Sequence, residues 1–412
     1  MEFLKHKLAN GLEIVAEANG EAHSAGLGFF VRAGSRDETD QLAGVSHFLE
    51  HMVFKGTPRR TADDVNREFD EMGAHYNAFT SEENTVYYAA VLPECQDRCI
   101  ELLADIMRPS LREEDFNTEK QVIIEEICMY EDQPPYGADD KIKAIHLGRH
   151  PLARSVLGTE QTIGSLSVDQ MRGYFEQRYS PGNIVLAAAG RVDFDRLVKQ
   201  LEQICGDWEP HPAGRETPRA EKQSAFEVLH RESSTQQYVL QLVNGPAATD
   251  DDRFSAKLMT TVVGDDSGSR MYWDLIDSGL AEQASVSHYE YEGAGLTMAY
   301  MSCSPYLAEK NLQQMLDIYR LAEQEGFTAA ELNQAKSKWQ SRLVLSSERP
   351  RNRLFSVGGN WMQRGEYRAL RDDLHDIEQV TLDDLNRVLA KYPLSENTTV
   401  AIGPLRELAA PK

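Results

Sequence analysis

The sequence predicts two similar domains, each mixing strands with helices, and three observations carry that prediction. The chain has 412 residues, and at about 100–200 residues per domain two is the natural number. Near its middle, residues 206–225 (GDWEPHPAGRETPRAEKQSA) hold Pro210, Pro212 and Pro218 and almost nothing apolar, which is the composition of a linker. The second half also repeats the first. LSVDQMRGYFEQRYSPGNIVLAAAG lies against VTLDDLNRVLAKYPLSENTTVAIGP, pairing Asp169 with Asp383, Met171 with Leu385 and Asn183 with Asn397 at one constant offset. DFNTEKQVIIEEICMYEDQP lies against ELNQAKSKWQSRLVLSSERP at nearly the same offset. The expected division is a first domain at 1–205, a linker at 206–225 and a homologous second domain at 226–412.

The elements of the first half follow in order. NGLEIVAE and AGLGFFVRAG alternate and read as strands split by polar turns. LAGVSHFLEHMVFK reads as a helix. TADDVNREFDEMG reads as a second, with Thr61 as its N-cap and Gly73 ending it. AHYNAFTSEENTVYYAAVL gives two strands around a polar turn. PECQDRCIELLADIMR, REEDFNTEKQVIIEEICMYED and SVDQMRGYFEQRY are helical, and GNIVLAAAG is a strand.

Composition narrows the function. Hydrophobic residues make up 41% of the chain, as in soluble globular proteins. A net charge of −23 argues against nucleic acid and against anionic membrane surfaces, which demand Lys and Arg. Five cysteines, odd in number and widely spaced, argue against a disulfide framework and for a reducing compartment. The opening MEFLKHKLANGLEIV has neither a long apolar core nor a small-residue cleavage site, so no signal peptide is expected. No window approaches about 18 uninterrupted apolar residues, so no transmembrane helix is expected either. The expected setting is the cytoplasm.

The segment GVSHFLEHMVFKGT carries the chemistry. On a helix, positions i, i+3 and i+4 project to one side. His47 and His51 can thus aim two imidazole nitrogens at one point, with Glu50 beside it. Two neutral imidazoles one turn apart are a natural zinc chelate, and a catalytic zinc takes a third protein ligand and leaves a position for water. Glu50 is then the candidate base. A solvated helix face with incidental histidines is the plainer alternative. The third ligand is sought among Glu119, Glu125 and Glu126 of NTEKQVIIEEICMYED. Glu119 and Glu126 lie two turns apart on one face, with Glu125 rotated by about 100°. Periodicity alone does not choose among the three. At the repeat offset Glu126 faces Arg342 and Glu119 faces Ala335, and the second half has no His-x-x-Glu-His.

GSRDETDQLAGVSHFLEHMVFKGT resembles the signature of the pitrilysin/insulinase family of inverted-motif zinc metallopeptidases, and most of all its mitochondrial-processing-peptidase-like branch. GAHYNAFTSEENTVYY and EKQVIIEEI resemble further segments of that family, in the same order. The resemblance implies an α+β fold of two homologous domains, each an antiparallel sheet packed against helices. It implies a zinc-dependent endopeptidase, a hydrolase with one zinc per chain. His47, His51 and Glu126 become the metal ligands, Glu50 the general base, and Glu119 a supporting catalytic residue. It also implies that a peptide substrate adds as a strand along Asn77, Ala78, Phe79 and Thr80.

One family feature is missing. Active members carry an Arg and a Tyr seven apart in the C-terminal domain, ending in Gly-Leu-Ala-Tyr. Anchoring on Gly279, Leu280 and Ala281 puts Leu275 and Glu282 at those positions, with Arg270, Tyr272 and Tyr289 nearby. Family chambers use four such domains, so a dimer is implied. It is either a homodimer or a heterodimer with a related, zinc-less subunit carrying the Arg and Tyr. The rival reading is a non-catalytic structural or assembly subunit of the same fold.

Overall fold

In the computed structural model, which describes every residue except Lys222, the first half runs from β1 to α8. Its elements are β1 (Glu2–Lys7), β2 (Glu13–Ala18), β3 (Ala25–Val31), α1 (Val45–Val53), α2 (Ala62–Glu71), β4 (His75–Thr80), β5 (Thr85–Val91), α3 (Gln96–Ile106), α4 (Glu113–Asp132), α5 (Ala138–Leu147), α6 (Glu160–Ser165), α7 (Val168–Arg178), β6 (Ile184–Gly190) and α8 (Phe194–Cys205). The second half holds β7 (Phe226–His230), β8 (Gln237–Gly245), α9 (Arg253–Gly264), β9 (Gln283–Tyr291), β10 (Ala294–Cys303), α10 (Ala308–Glu325), α11 (Ala329–Ser347), α12 (Pro350–Arg364), α13 (Leu370–Gln379), α14 (Leu382–Lys391) and β11 (Thr398–Gly403). A π-helical turn, Tyr272–Asp277, separates α9 from β9.

Among the described residues the strands form two sheets, ordered β1-β2-β6-β3-β5-β4 and β7-β11-β8-β10-β9. Leaving out β1, the two orders correspond strand for strand, with the same sense at each pairing. The α+β class holds, but the sheets are not purely antiparallel. β2 pairs with β6 in parallel, as β7 does with β11. Parallel neighbours need a long crossover, and in each half nearly all the other elements lie between the two strands.

Both faces of each sheet are covered. Leu27, Phe29 and Val31 of β3 pack with Phe48, Leu49 and Met52 of α1, Phe69 of α2, Ile100 of α3 and Ile123 of α4. On the opposite face Phe30, Val86 and Val185 meet Leu354, Val357 and Met362 of α12. In the second sheet Val239 and Ala299 join Met259, Leu312 and Leu385 on one face. Leu240, Leu296 and Val400 on the other face meet Ile142 and Leu147. Each such buried Val, Leu, Ile, Phe or Met side chain contributes about 1.5–3 kcal/mol.

The compact units are therefore not contiguous in sequence. One is Met1–Met129, Arg154–Glu216 and Val344–Ala369; the other is Tyr130–Ala153, Thr217–Leu343 and Leu370–Lys412. The division expected from the sequence puts α5 in the first domain and α12 in the second, whereas each belongs to the unit built on the other half's sheet. A sheet with two apolar faces must bury both, and the helix that does so need not come from the same stretch of chain. Close approach of α12 requires small residues: a Cβ on Gly358 would collide with the Phe30 ring. Arg353 of α12 is buried against Glu17 of β2, its Nε donating to Oε1 at 2.8 Å, while Tyr367 donates to Oε2 at 2.6 Å.

The proline-rich stretch at 206–225 is not a loose tether. Arg215 is buried against Asp37, donating from Nε at 2.9 Å and Nη2 at 2.6 Å. Arg178 donates to the Gly214 carbonyl at 2.7 Å. Past Thr217, Asn244 donates to the Ala220 carbonyl at 3.2 Å. Buried carboxylates such as Asp37 need a paired cation, and this stretch supplies it. No helix among the described residues is long and apolar enough to cross a membrane.

Candidate metal centre

Helix α1 starts later than its apolar pattern predicts, because Gly44 takes φ +92° and the helix begins at Val45. Its first turn is held by a residue that sequence reasoning missed. Glu38 accepts from the Gly44 N–H and the Ser46 N–H, each at 2.7 Å. This is a carboxylate on the free donors of a helix N-terminus. Burial pushes Glu38 up to about 7, against those same two hydrogen bonds. Nothing in GSRDETD distinguishes it from its acidic neighbours before folding.

Phe48 and Leu49 of α1 point into the core, and Phe48 stacks on Phe116 of α4 with ring centroids 4.7 Å apart. That packing sets α1 against α4 and brings their polar positions together. His47 Nε2 lies 3.8 Å from Glu126 Oε2, and His51 Nε2 lies 3.7 Å from the same oxygen. One ligand atom from each of the three residues falls within 4.8 Å of the others. Glu125, rotated by about 100° from Glu126, is exposed and is not among the converging residues. Of the three glutamates that periodicity leaves open, Glu126 is the one whose carboxylate converges with both imidazoles.

These separations fit a metal better than they fit hydrogen bonds. They exceed hydrogen-bond length, while ligand atoms of a tetrahedral zinc with bonds of 2.0–2.2 Å lie about 3.3–3.6 Å apart. The donor set, two imidazoles and one carboxylate, is zinc chemistry. His47 is lowered to about 4, first by burial and then by the charge of His51, so its ring is neutral and its lone pair free at neutral pH. Its Nδ1 is buried with no hydrogen-bond partner among the described residues.

His51 is braced where His47 is not. Its Nδ1 lies 2.8 Å from Glu119 Oε1, and Glu119 Oε2 lies 2.6 Å from Lys55 Nζ. Burial raises Glu119, but the hydrogen bonds from His51 and Lys55 outweigh it and hold the carboxyl below its ordinary value. A carboxylate only accepts, so His51 donates from Nδ1 and presents Nε2. Burial lowers His51, yet Glu119, Glu126 and Glu50 together raise it above the usual histidine value.

Glu50 is raised above the usual carboxyl value by burial, against a hydrogen bond from Thr80 and the charge of His51. Thr80 Oγ1 donates to Glu50 Oε2 at 2.6 Å. The strand expected to hold substrate is the outer strand β4, paired on one side to β5. Its side chains alternate: Asn77 and Phe79 are exposed, Ala78 is buried in the core, and Thr80 turns toward Glu50. The Ala78 side chain is thus not available to a ligand, although strand addition needs only its backbone.

In the other unit, Leu275 is wholly buried in the core and Glu282 is exposed, accepting from Gln236. Arg270 is engaged by Glu331 at 2.7 and 3.1 Å and by the Gly326 carbonyl at 2.9 Å. Tyr289 and Trp273 are exposed. The structure brings none of these together as a replacement for the missing pair.

The insulinase (peptidase family M16) model matches residues 13–160, and the peptidase M16 inactive-domain model matches 165–338. The chain is 31% identical over 401 residues to an uncharacterized zinc protease of Bacillus subtilis, covering 97% of both. It is 28% identical over 418 residues to a probable mitochondrial-processing peptidase subunit beta of Arabidopsis thaliana, covering 97% of this chain and 78% of that one. The fold is similar to that of a protease from Helicobacter pylori, with a TM-score of 0.91 at 20% identity over 98% of this chain and 99% of that one. With family matches in both halves and a relative matched end to end, the chain belongs to the pitrilysin/insulinase family of peptidases, M16.

Proposed function

We propose that the chain is a zinc endopeptidase that cleaves peptides or unstructured polypeptide segments, with one zinc held by His47, His51 and Glu126. One observation carries the reading: two imidazole nitrogens and a carboxylate oxygen converge within 4.8 Å, with the half-buried Glu50 on the same helical turn as the histidines. Zinc bound there supplies Lewis acidity and lowers the pKa of a water molecule to about 7. Glu50 has its Oε2 held by Thr80, which leaves Oε1 to take the water's proton and return it to the leaving amine nitrogen. Glu119 keeps His51 in the tautomer that presents Nε2. The outer edge of β4 offers backbone groups to an extended peptide, with Asn77 and Phe79 facing outward beside it. Only an open chain can add as a strand, which favours unstructured substrates. The five free cysteines support a reducing, cytoplasmic setting.

We further propose that the working form is a dimer. Leu275 and Glu282 provide no donor for a developing oxyanion. This favours a heterodimer in which a related, zinc-less subunit contributes an Arg and a Tyr. A purely structural subunit is disfavoured, because a retired site has no reason to keep all of His47, Glu50, His51 and Glu126 in working geometry. The test is cleavage of an unbiased peptide mixture by the purified, zinc-supplied chain, with Glu50→Gln run in parallel. Cleavage that the variant lacks supports the peptidase reading and makes the chain self-sufficient. Equal cleavage by the variant overturns Glu50 as the base. No cleavage by a folded, zinc-loaded chain, restored by an Arg- and Tyr-bearing partner, supports the heterodimer.

A further inference from the structure

We propose that Lys55 is a positioning residue of the metal centre, acting through Glu119 on the ligand His51. The proposal rests on the zinc reading above and adds a residue to it. Lys55 follows the end of α1, and its ammonium lies 2.6 Å from Glu119 Oε2, while Glu119 Oε1 lies 2.8 Å from His51 Nδ1. The Glu119 side chain is only 5% exposed. Each carboxylate oxygen therefore has its own partner, an imidazole on one and an ammonium on the other. A carboxylate held at both oxygens cannot swing, and the ring it binds cannot swing either.

The Lys55 backbone is itself fixed to both helices that carry ligands. Its N–H donates to the Met52 carbonyl of α1 at 3.1 Å. Its carbonyl accepts from Arg112 Nη2 at 2.7 Å, and Arg112 Nε donates to Asp115, in the first turn of α4, at 2.6 Å. Without the ammonium, the buried Glu119 carboxylate would keep only the His51 imidazole as a partner, with its other oxygen unpaired, and such a charge is expensive to keep in place. The consequence falls on His51 alone, since His47 Nδ1 has no carboxylate to lean on. Of the two imidazoles, one is aimed by packing and the other by the Lys55–Glu119 pair.

The test is zinc affinity of the full chain, by competition with a chromophoric chelator, for wild type, Lys55→Met, Lys55→Gln, Lys55→Arg, Glu119→Gln and the Lys55→Met/Glu119→Gln double variant. Removing an outer partner of a ligand typically costs about 10–100-fold in metal affinity. Lys55→Met and Lys55→Gln are expected to raise the zinc Kd by that factor. Lys55→Arg should restore most of it, and any fall in metal-free melting temperature of Lys55→Met, caused by the uncompensated Glu119 charge, should be relieved in the double variant, where that charge is removed too. In the Glu119→Gln background Lys55→Met should add nothing, because the two act as one unit. Wild-type affinity in Lys55→Met and Lys55→Gln would overturn the proposal while leaving the zinc reading intact. So would a full additional loss in the double variant, since Lys55 would then act independently of Glu119. Absence of zinc binding by the wild type would overturn both together.

Discussion

The long helix α4 of the first half and its counterpart α11 in the second are built alike and used differently. Where α4 carries Glu126 toward the histidines, α11 carries Arg342, which binds Asp265 at 2.7 and 3.0 Å. Where α4 carries Glu119, α11 carries the buried Ala335. The helix after β3 is α1, with its histidines; the helix after β8 is α9, buried along almost all of its length and without a histidine. Strand order, pairing sense and even caps match between the halves. Ser167 caps α7 and Thr381 caps α14 at equivalent positions, each in a reciprocal capping box. Topology and caps are what a duplicated fold needs to stand, and what sets the copies apart is a few side chains, the converging His47, His51 and Glu126 among them, that one copy has and the other lacks.

The largest expected contrast is in turnover. Glu50→Gln should lower kcat by about 10²–10⁴-fold, as loss of a general base does, with zinc still bound by isothermal titration. Any polar-to-neutral change on α9 or α11 should leave kcat per bound zinc unaltered. Retained activity in Glu50→Gln would break the contrast.

Next come the helices exchanged between the halves, where the two units should respond to acid differently. The Glu17 carboxyl is raised by burial but held below its usual value overall by Arg353 and Tyr367. Its stabilisation is complete above the unfolded value and is lost as pH falls through the lower folded value. His146 of α5, buried between Thr398 and Asn244, is lowered by burial. Its unfolded form takes a proton first, so stability begins to fall as pH drops below about 6.5. Melting curves between pH 3 and 7.5 should show the higher window erased by His146→Gln and the lower one by Glu17→Gln. At neutral pH Glu17→Gln should cost about 3–5 kcal/mol, because Arg353 loses its buried partner. A pH profile unchanged by either substitution would contradict this.

Smaller effects follow. Ser167→Ala and Thr381→Ala should each cost about 1 kcal/mol by denaturant unfolding, and by similar amounts. A large difference between them would mean the two caps are not equivalent. Arg342→Ala removes a partly exposed pair and should cost no more than about 1 kcal/mol, with zinc affinity untouched.

Much of this was legible in the chain itself. The repeat announced two similar units, and the spacing of His47, Glu50 and His51 announced polar groups gathered on one side of α1, because a helix turns local spacing into a shared face. The pairing of Glu126 with the two histidines required the packing of Phe48 on Phe116, which no local pattern encodes. Thr80 was read as substrate edge, yet its hydroxyl serves Glu50. Glu38 and Lys55 were missed because their roles depend on groups that folding brings to them. The exchange of α5 and α12 was invisible for a related reason. An apolar helix face says that it must be buried, not which sheet will bury it.

The most direct test of the account is a zinc titration of the intact chain beside Glu126→Gln and Arg342→Ala. The account predicts one zinc per chain for wild type and Arg342→Ala, with affinity reduced in Glu126→Gln by more than the roughly 10–100-fold typical of an outer partner. Zinc binding unaffected by Glu126→Gln, or no zinc bound by the wild type, would contradict it.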